Sequence, residues 1–287
     1  MKKVKIFVDT AADMTEALRK EYDIDIINFL SVFGETSYVA GEELSNEEFY
    51  KKLEESENIP TTSQTPPAVM YETLLNASKE ADTVVYLTIS SKASGQYGNA
   101  KMNAEMVLEE NPDADIRIVD SMNFSVYIAE AAIRLRTLLD EGMNIDEAIP
   151  KALEVNDEYE AYLLVDTLKY LEKGGRITKT AALVGGLLDI KPVLSVRNGL
   201  IEPVEKLRGK KKLQQKLIEL MRENPEFDED AKEFIVVDSD KENGDKLAEA
   251  LCEEFGLDNV KRRYEFGPIV GTHAGGGAFA VVFKKKR

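Results

Sequence analysis

Short apolar runs alternate with longer helix-like segments through the first half of the chain. The apolar runs have the length and composition of buried strands, and the segments between them carry apolar residues at helical spacing. The strand patterns cover residues 4–8, 24–29, 83–89 and 115–120. Strands that alternate with helices pair in parallel, with the helices covering both faces of the sheet. The pattern therefore predicts a three-layer α/β/α domain with a parallel sheet at residues 1–156.

The second half of the chain follows a polar break at residues 156–158, which we interpret as a domain boundary. Asn198-Gly199 lies between strand patterns at residues 193–196 and 200–206. Asn-Gly is a strong signal for a type I′ hairpin, so antiparallel pairing is expected here. Further strand and helix patterns alternate to the C-terminus. The second domain, residues 157–287, is therefore predicted to be a two-layer α/β structure with a mixed sheet.

Residues 166–192 combine a predicted sharp turn with an uncharged helix. A short helix is followed by Gly174 and Gly175, either of which can form a left-handed C-cap and aim Arg176 away from that helix. Thr178 is the predicted N-cap of a second helix, whose body at residues 181–188 carries no charge. Taken alone, this pattern is typical of a buried helix that packs closely against a neighbour.

Composition limits the classes of function. With 287 residues and 43% hydrophobic content, the chain can form two domains with substantial cores. The formal charge of −16 argues against general attraction to nucleic acids or anionic membranes. No signal peptide or spanning segment is recognisable, and Cys252 is the single cysteine, which excludes an intramolecular disulfide. We therefore expect a cytoplasmic protein.

The single histidine, His273, restricts metal and acid–base chemistry. Zinc sites built from several His or Cys ligands are excluded by the residue count, whereas a carboxylate Mg²⁺ site is not. Any catalytic imidazole has to be that of His273.

Two hydroxyl-rich loops are candidate binding elements. Residues 61–65 precede a helix, and residues 90–97 connect a buried strand to the next helix. If both loops lie at one edge of the sheet, Thr62 and Ser94 can converge on one anionic group, although such hydroxyls also serve as ordinary helix caps. Asp9 ends the first strand and is either a carboxylate at the edge of this site or a cap of the following turn.

Several short motifs can be read together along the chain. They are Val8-Asp9-Thr10, Gly34 with Tyr38 and Gly41, Thr62-Ser63-Gln64, Ser90-Ser91 with Ser94-Gly95, Asp120-Ser121, Asp166-Thr167-Leu168, Gly174-Gly175-Arg176-Ile177, Ile190-Lys191-Pro192, Arg208 and Gly271-Thr272-His273. In this order and spacing the chain resembles the DegV family, which includes the fatty-acid-binding subunits of bacterial fatty acid kinase. The resemblance covers essentially the whole sequence.

The resemblance implies a DegV-like two-domain fold with a long-chain fatty acid in a tunnel between the domains. Matched residue by residue, Thr62 and Ser94 are expected to hydrogen-bond the fatty acid carboxylate. Family positions near the exposed head group, where an acyl phosphate would be stabilised, match Arg176, Arg208 and His273. The uncharged helix makes Leu183, Leu187 and Ile190 candidates for the tunnel wall.

The same resemblance implies a carrier without turnover of its own. It would present the carboxylate to a separate fatty acid kinase subunit, with a place in phospholipid metabolism, no cofactor, no membrane span and at most transient membrane contact. The sequence departs from the common family pattern at several positions; for instance, Gln96 follows Gly95 where threonine is commoner. The positions matched to the ligand are unchanged.

Two other hypotheses stay open from the residues alone. The first is a serine hydrolase or acyltransferase with Ser94 as nucleophile and His273 as base, in which Asp9 or Asp120 would orient the imidazole. Against it, Ser94 has no Gly-x-Ser-x-Gly elbow. The second is a pure interaction or regulatory protein. Phosphoryl transfer without a partner is not favoured, because neither a Walker loop nor a kinase-type glycine loop is present.

Overall fold

A computed structural model describes residues 3–177, 190–197, 199–209 and 212–286. The chain divides into two compact units. Unit 1 consists of residues 1–43 and 62–155, and unit 2 of residues 44–61 and 156–287. The described strands and helices are numbered β1–β13 and α1–α11 in chain order.

The sheet of unit 1 has four parallel strands in the order β2-β1-β6-β7. The smaller strands β3, β4 and β5 form a separate sheet in the order β4-β3-β5. The parallel sheet predicted from the alternating pattern is therefore confirmed. The strand bounds are β1 Val4–Asp9, β2 Ile24–Ile27, β3 Leu30–Phe33, β4 Thr36–Val39, β5 Thr61–Ser63, β6 Thr83–Thr88 and β7 Ile116–Asp120.

Helices cover this sheet because its strands are apolar on both faces. The first seven helices along the chain, of which α2 belongs to unit 2 and α7 crosses the unit boundary, are α1 Glu16–Glu21, α2 Asn46–Glu55, α3 Pro67–Glu80, α4 Gln96–Glu110, α5 Val126–Asp140, α6 Ile145–Leu153 and α7 Val155–Glu158. Residues of α3 and α4 share a buried cluster with Phe7 and Tyr86 of the sheet. Helix α5 packs on β1 and β6, and α6 packs on α5. Every residue of β6 is buried, as expected for a central parallel strand.

Unit 2 contains a six-stranded mixed sheet in the order β10-β9-β8-β13-β11-β12. Neighbours are antiparallel except β11 and β12, which are parallel, so the predicted mixed sheet is confirmed. The strand bounds are β8 Tyr159–Leu164, β9 Ile190–Arg197, β10 Leu200–Arg208, β11 Phe234–Asp238, β12 Arg262–Glu265 and β13 Phe279–Lys284. The antiparallel β9–β10 pair flanks the predicted Asn198-Gly199 turn, of which Asn198 lies outside the described residues.

The remaining helices belong to unit 2: α8 Lys169–Gly174, α9 Leu213–Glu223, α10 Lys241–Phe255 and α11 Pro268–Ala274. Apolar residues of α9 and α10 share one core cluster with β8, β9, β11 and β13, with Phe227, Phe234, Phe255 and Phe283 among its members. The rings of Phe234 and Phe255 lie 4.7 Å apart between centroids. This packing forms the helix layer over the mixed sheet.

The segment Leu44–Thr61 belongs to unit 2, although it lies in the first half of the chain. The chain therefore enters unit 2 at Leu44 and returns to unit 1 at Thr62, which the predicted single boundary at residue 156 does not include. The physical reason is packing by α2: Phe49 is fully buried, and the Tyr50 hydroxyl donates a 2.7 Å hydrogen bond to the Phe266 carbonyl. Gly271 allows this contact, since a Cβ there would lie 2.5 Å from the Tyr50 hydroxyl oxygen.

The predicted turn after residue 173 is present. Helix α8 is capped by Gly175, which has a φ of 68°, and the Gly175 and Arg176 main-chain N–H groups donate to the Glu172 and Leu171 carbonyls, respectively. The predicted cap Thr178 and the helix body with Leu183 and Leu187 lie outside the described residues, whereas Ile190 begins β9. Within the described parts of the chain, every helix is too short or too polar to cross a membrane.

Candidate binding site

Asp9 lies at the carboxyl end of β1 and is completely buried. One carboxylate oxygen accepts from the Ile89 main-chain N–H at 2.7 Å, and the other accepts from the Ala11 N–H at 3.1 Å. Burial raises the pKa of Asp9 from 3.8 to about 7, against the opposing effect of these bonds and of the Tyr86 hydroxyl. Asp9 therefore caps the turn after β1, which was one of the two roles considered for it from the sequence. Its bond to the Ile89 N–H also connects β1 to the end of β6.

The two hydroxyl-rich loops lie side by side in unit 1. A Cβ placed on Gly95 would be 3.3 Å from the side-chain oxygen of Gln64. The Thr65 main-chain N–H donates to Gln96 Oε1 at 3.1 Å, and Asn99 Nδ2 donates to the Thr65 carbonyl at 2.8 Å. Because these contacts join residues about thirty positions apart, they show that the two loops meet, whereas the convergence of Thr62 and Ser94 on one anionic group stays a prediction.

Ser94 and Thr62 are both partly buried residues. Ser94 Oγ accepts from the Gln96 main-chain N–H at 3.3 Å, a local turn bond of a serine that precedes Gly95, the N-cap of α4. An accepting hydroxyl still carries its own proton, so Ser94 can donate to a further group. The turn bond and a binding role of Ser94 are thus compatible.

Two of the predicted head-group residues come together in unit 2. A Cβ on Gly174 would lie 2.3 Å from His273 Nδ1, so the imidazole, which is in the last turn of α11, rests on the backbone at Gly174. The Arg176 guanidinium is exposed and donates to the Gly174 carbonyl. Burial, with a further contribution from the Arg176 charge, lowers the pKa of His273 from 6.5 to about 4. The imidazole is therefore neutral at pH 7.

Arg208 lies elsewhere on the unit 2 sheet, at the end of the edge strand β10. Its main chain pairs with that of Ile190, the predicted tunnel residue, and its carbonyl accepts from Lys216 Nζ. Its side chain is exposed. The structure thus links Arg208 to Ile190 through the strand register, and links Arg176 to His273 through the glycine turn.

Sequence reasoning missed a buried set of amides behind the hydroxyl loops. Gln96, Asn99 and Asn103 of α4 are 0%, 7% and 1% exposed, at positions where an ordinary helix has apolar residues. The spacing i, i+3 and i+7 places the three amides on one helix face, and this was the available signal. The described residues contain no group of three or more His, Cys, Asp or Glu side chains that could hold a metal ion.

Fold and site define a two-unit α/β protein with neutral donors grouped on loops of one unit and an arginine–histidine pair in the other. The sequence model of a family described as "Uncharacterised protein, DegV family COG1307" matches residues 3–286. The chain belongs to the DegV family.

Individual relatives align over their full length. A DegV domain-containing protein of Caldanaerobacter subterraneus is 30% identical over 100% of both chains. A Thermotoga maritima structure described as revealing a fatty acid binding function is 30% identical, with a TM-score of 0.81 over 100% of both chains. A stearic acid-binding protein of Eubacterium ventriosum is 25% identical, with a TM-score of 0.87 over 99% of this chain and 98% of that structure.

Proposed function

We propose that this protein binds a long-chain fatty acid and holds its carboxylate with the hydroxyls of Thr62 and Ser94. The observation that carries the proposal is the convergence of the two hydroxyl loops through Thr65, Gln96 and Asn99. Related proteins of the same fold and length are described as fatty-acid-binding, which supports the same ligand class here.

The energetics of such a ligand divide between its two ends. Burial of a methylene contributes about 0.8 kcal/mol, so about ten of them contribute ~8 kcal/mol before the losses on association. The acyl chain therefore supplies most of the affinity. The hydroxyl donors supply orientation, because a carboxylate moved out of water without partners is strongly destabilised.

Two parts of the proposal stay predictions. The first is that the ligand lies between the units, and the second is that the tunnel wall includes Leu183, Leu187 and Ile190.

The proposal extends to presentation of the bound carboxylate to a separate kinase. Exposed arginines suit a phosphate group because the planar guanidinium offers forked donors, and Arg176 and Arg208 are both exposed. A neutral His273 beside Arg176 adds a hydrogen-bonding group without a second charge. In this scheme the protein is a carrier subunit, and the kinase performs the phosphoryl transfer.

The serine hydrolase alternative gains no support. The described hydrogen-bond partners of Ser94 are main-chain groups of its own turn, the Gln96 N–H and the Ser90 carbonyl. A nucleophilic serine needs a base within hydrogen-bonding reach of its hydroxyl, and the described hydrogen bonds of Ser94 include no such base.

Native mass spectrometry of the purified protein tests the ligand. The expected spectrum shows an added mass equal to one fatty acid, and delipidated protein should regain this mass with stearic acid. Purified protein without a fatty acid that also fails to take up stearic acid after delipidation would overturn the proposal.

Substitutions separate binding from presentation. Ser94→Ala and Thr62→Ala should each weaken fatty acid binding about tenfold, because each removes about 1–3 kcal/mol of hydrogen bonding to a charged group. Arg176→Ala, Arg208→Ala and His273→Ala should leave binding unchanged and reduce kinase-dependent acyl phosphate formation. Equal loss of binding in all five variants would contradict this division of roles.

A further inference from the structure

Thr65 is fixed by three groups at once. Its main-chain N–H donates to Gln96 Oε1 at 3.1 Å, and its carbonyl accepts from Asn99 Nδ2 at 2.8 Å. Its hydroxyl accepts from Gln96 Nε2 at 2.7 Å and donates to the Asn28 carbonyl at 2.8 Å. Thr65 is 1% exposed, so its backbone and side-chain groups are satisfied by protein partners away from solvent.

The orientation of the Gln96 amide follows from these bonds. A main-chain N–H can only donate, so the Gln96 atom that faces it must be the carbonyl oxygen. The amide nitrogen then donates both to the Thr65 hydroxyl and to the Tyr86 hydroxyl, the latter at 2.8 Å. Tyr86 in turn donates to Asp9 Oδ2 at 3.5 Å. The donor and the acceptor of each hydrogen bond in this network are therefore fixed. If the Gln96 amide were flipped, its N–H groups would face the Thr65 main-chain N–H, and two donors would be opposed.

The same residue is tied to the Ser94 loop. Gln96 is the first residue of α4, and its main-chain N–H donates to Ser94 Oγ at 3.3 Å. Thr62 is three positions before Thr65 in the other loop. One glutamine therefore contacts the Ser94 hydroxyl through its backbone and anchors the Thr62 loop through its side chain.

We propose that Gln96 is a positioning residue for carboxylate recognition: with Asn99, it clamps Thr65 and so sets the distance between the hydroxyls of Thr62 and Ser94. This inference rests on the proposed binding of a fatty acid. It adds a residue that touches no ligand and that acts through the two donors. If Gln96 has this positioning role, its replacement should reduce the selectivity of the protein for a ligand with a carboxylate. The reason is that a displaced hydroxyl donor affects the contact with the head group and leaves the contacts with the acyl chain.

The test compares stearic acid with 1-octadecanol, which has the same chain length and no carboxylate. Both ligands are titrated into delipidated wild type, Gln96→Met and Asn99→Leu. We expect wild type to prefer stearic acid, Gln96→Met to lose about tenfold of that preference, and Asn99→Leu to lose less, because it removes one of the bonds to Thr65 and leaves those of Gln96. Affinity for 1-octadecanol should stay near the wild-type value.

Gln214→Met is the matched control. Gln214 is also a buried glutamine in the first turn of a helix, 8% exposed and bonded to Asn243 at 3.2 Å, but it belongs to unit 2. Its replacement should leave the preference for stearic acid intact. If Gln96→Met does not fold, as judged by its thermal unfolding curve, Asn99→Leu carries the test, because it perturbs the same clamp from the other side.

The outcomes separate this inference from the proposed function. If wild type binds stearic acid and both variants keep its preference over 1-octadecanol, or lose affinity for the two ligands equally, the positioning role is wrong and fatty acid binding stands. If wild type does not bind stearic acid, both are wrong. A double variant adds a second criterion: Gln96→Met should have little further effect in a Ser94→Ala background, since the two changes then act on one interaction.

Discussion

The polar groups of the two units differ in kind and in their response to pH. In unit 1, two main-chain N–H groups and the Tyr86 hydroxyl donate to a buried acid, Asp9, whose pKa is raised to about 7 by burial. In unit 2, the imidazole of His273 lies beside a cation, and burial with the Arg176 charge lowers its pKa to about 4. Burial opposes the charged form in both cases, and the opposite signs follow from an acid in one unit and a base in the other.

Under the proposed function, the polar groups of the two units suit two different ligand groups. A site of neutral donors can accept a carboxylate without a permanent counter-charge, so orientation is set by geometry. The arginine in unit 2 is suited to the larger charge of a phosphate, and the neutral histidine keeps the local charge low until such a group is present. Three experiments test whether the contrast holds, from the largest expected effect to the smallest.

Asp9→Asn should have the largest effect on the pH dependence of stability. The folded pKa of Asp9, about 7, is above its ordinary value of 3.8, so its favourable contribution is complete below 3.8 and is lost as pH rises through 7. Wild type should therefore lose free energy of unfolding relative to Asp9→Asn across that window, by on the order of 4 kcal/mol. Urea denaturation at several pH values measures the difference.

Asp120 provides the control for this experiment because, like Asp9, it ends a strand and accepts hydrogen bonds from two main-chain N–H groups. Asp120, at the end of β7, accepts from Ser91 and Met122 and is partly exposed. Asp120→Asn reports the effect of losing such acceptor bonds without complete burial. A wild-type curve parallel to that of Asp9→Asn between pH 4 and 7 would refute the raised pKa.

His273 should contribute in the opposite direction. Its folded pKa, about 4, is below its ordinary value of 6.5, so its contribution is complete above 6.5 and is lost as pH falls toward 4, by on the order of 3 kcal/mol. Because the sequence has one histidine, a single imidazole NMR signal reports the titration directly.

Arg176→Ala should raise the pKa of His273, since the Arg176 charge is one of its two causes, and Arg176→Lys should leave the pKa low because the charge is kept. A wild-type midpoint near 6.5 would show that the ring is in contact with water and would remove the contrast between the units.

Gly174→Ala should have the smallest effect on stability, about 2 kcal/mol, and a specific effect on the site. Its Cβ would lie 2.3 Å from His273 Nδ1, so the ring has to move and the pKa of His273 should rise. Gly175→Ala is the neighbouring control: a Cβ there has no atom within 4 Å, and its penalty comes from the φ of 68°. An unchanged His273 titration in Gly174→Ala would mean that the ring does not rest on this turn.

Much of the fold was predictable because local pattern decides it. Alternating strands and helices determined the parallel sheet of unit 1, and the strand patterns around Asn198-Gly199 determined the antiparallel β9–β10 pair. The glycine cap after α8 was likewise predictable, since only glycine takes a φ of 68° at little strain. Residues such as Thr62, Ser94 and Arg176 could be proposed from the sequence because loops at strand and helix ends carry polar groups that core packing does not require, and their roles stay predictions.

The rest depended on contacts between residues far apart in the chain. Leu44–Thr61 has an ordinary helix pattern, and only the packing of Phe49 and Tyr50 assigns it to unit 2. The sequence by itself therefore determined the elements, their alternation and the polar residues available at their ends. Tertiary structure decided that Gln96 is buried against Thr65 and that His273 rests on Gly174, because burial and hydrogen bonding across the fold set both arrangements.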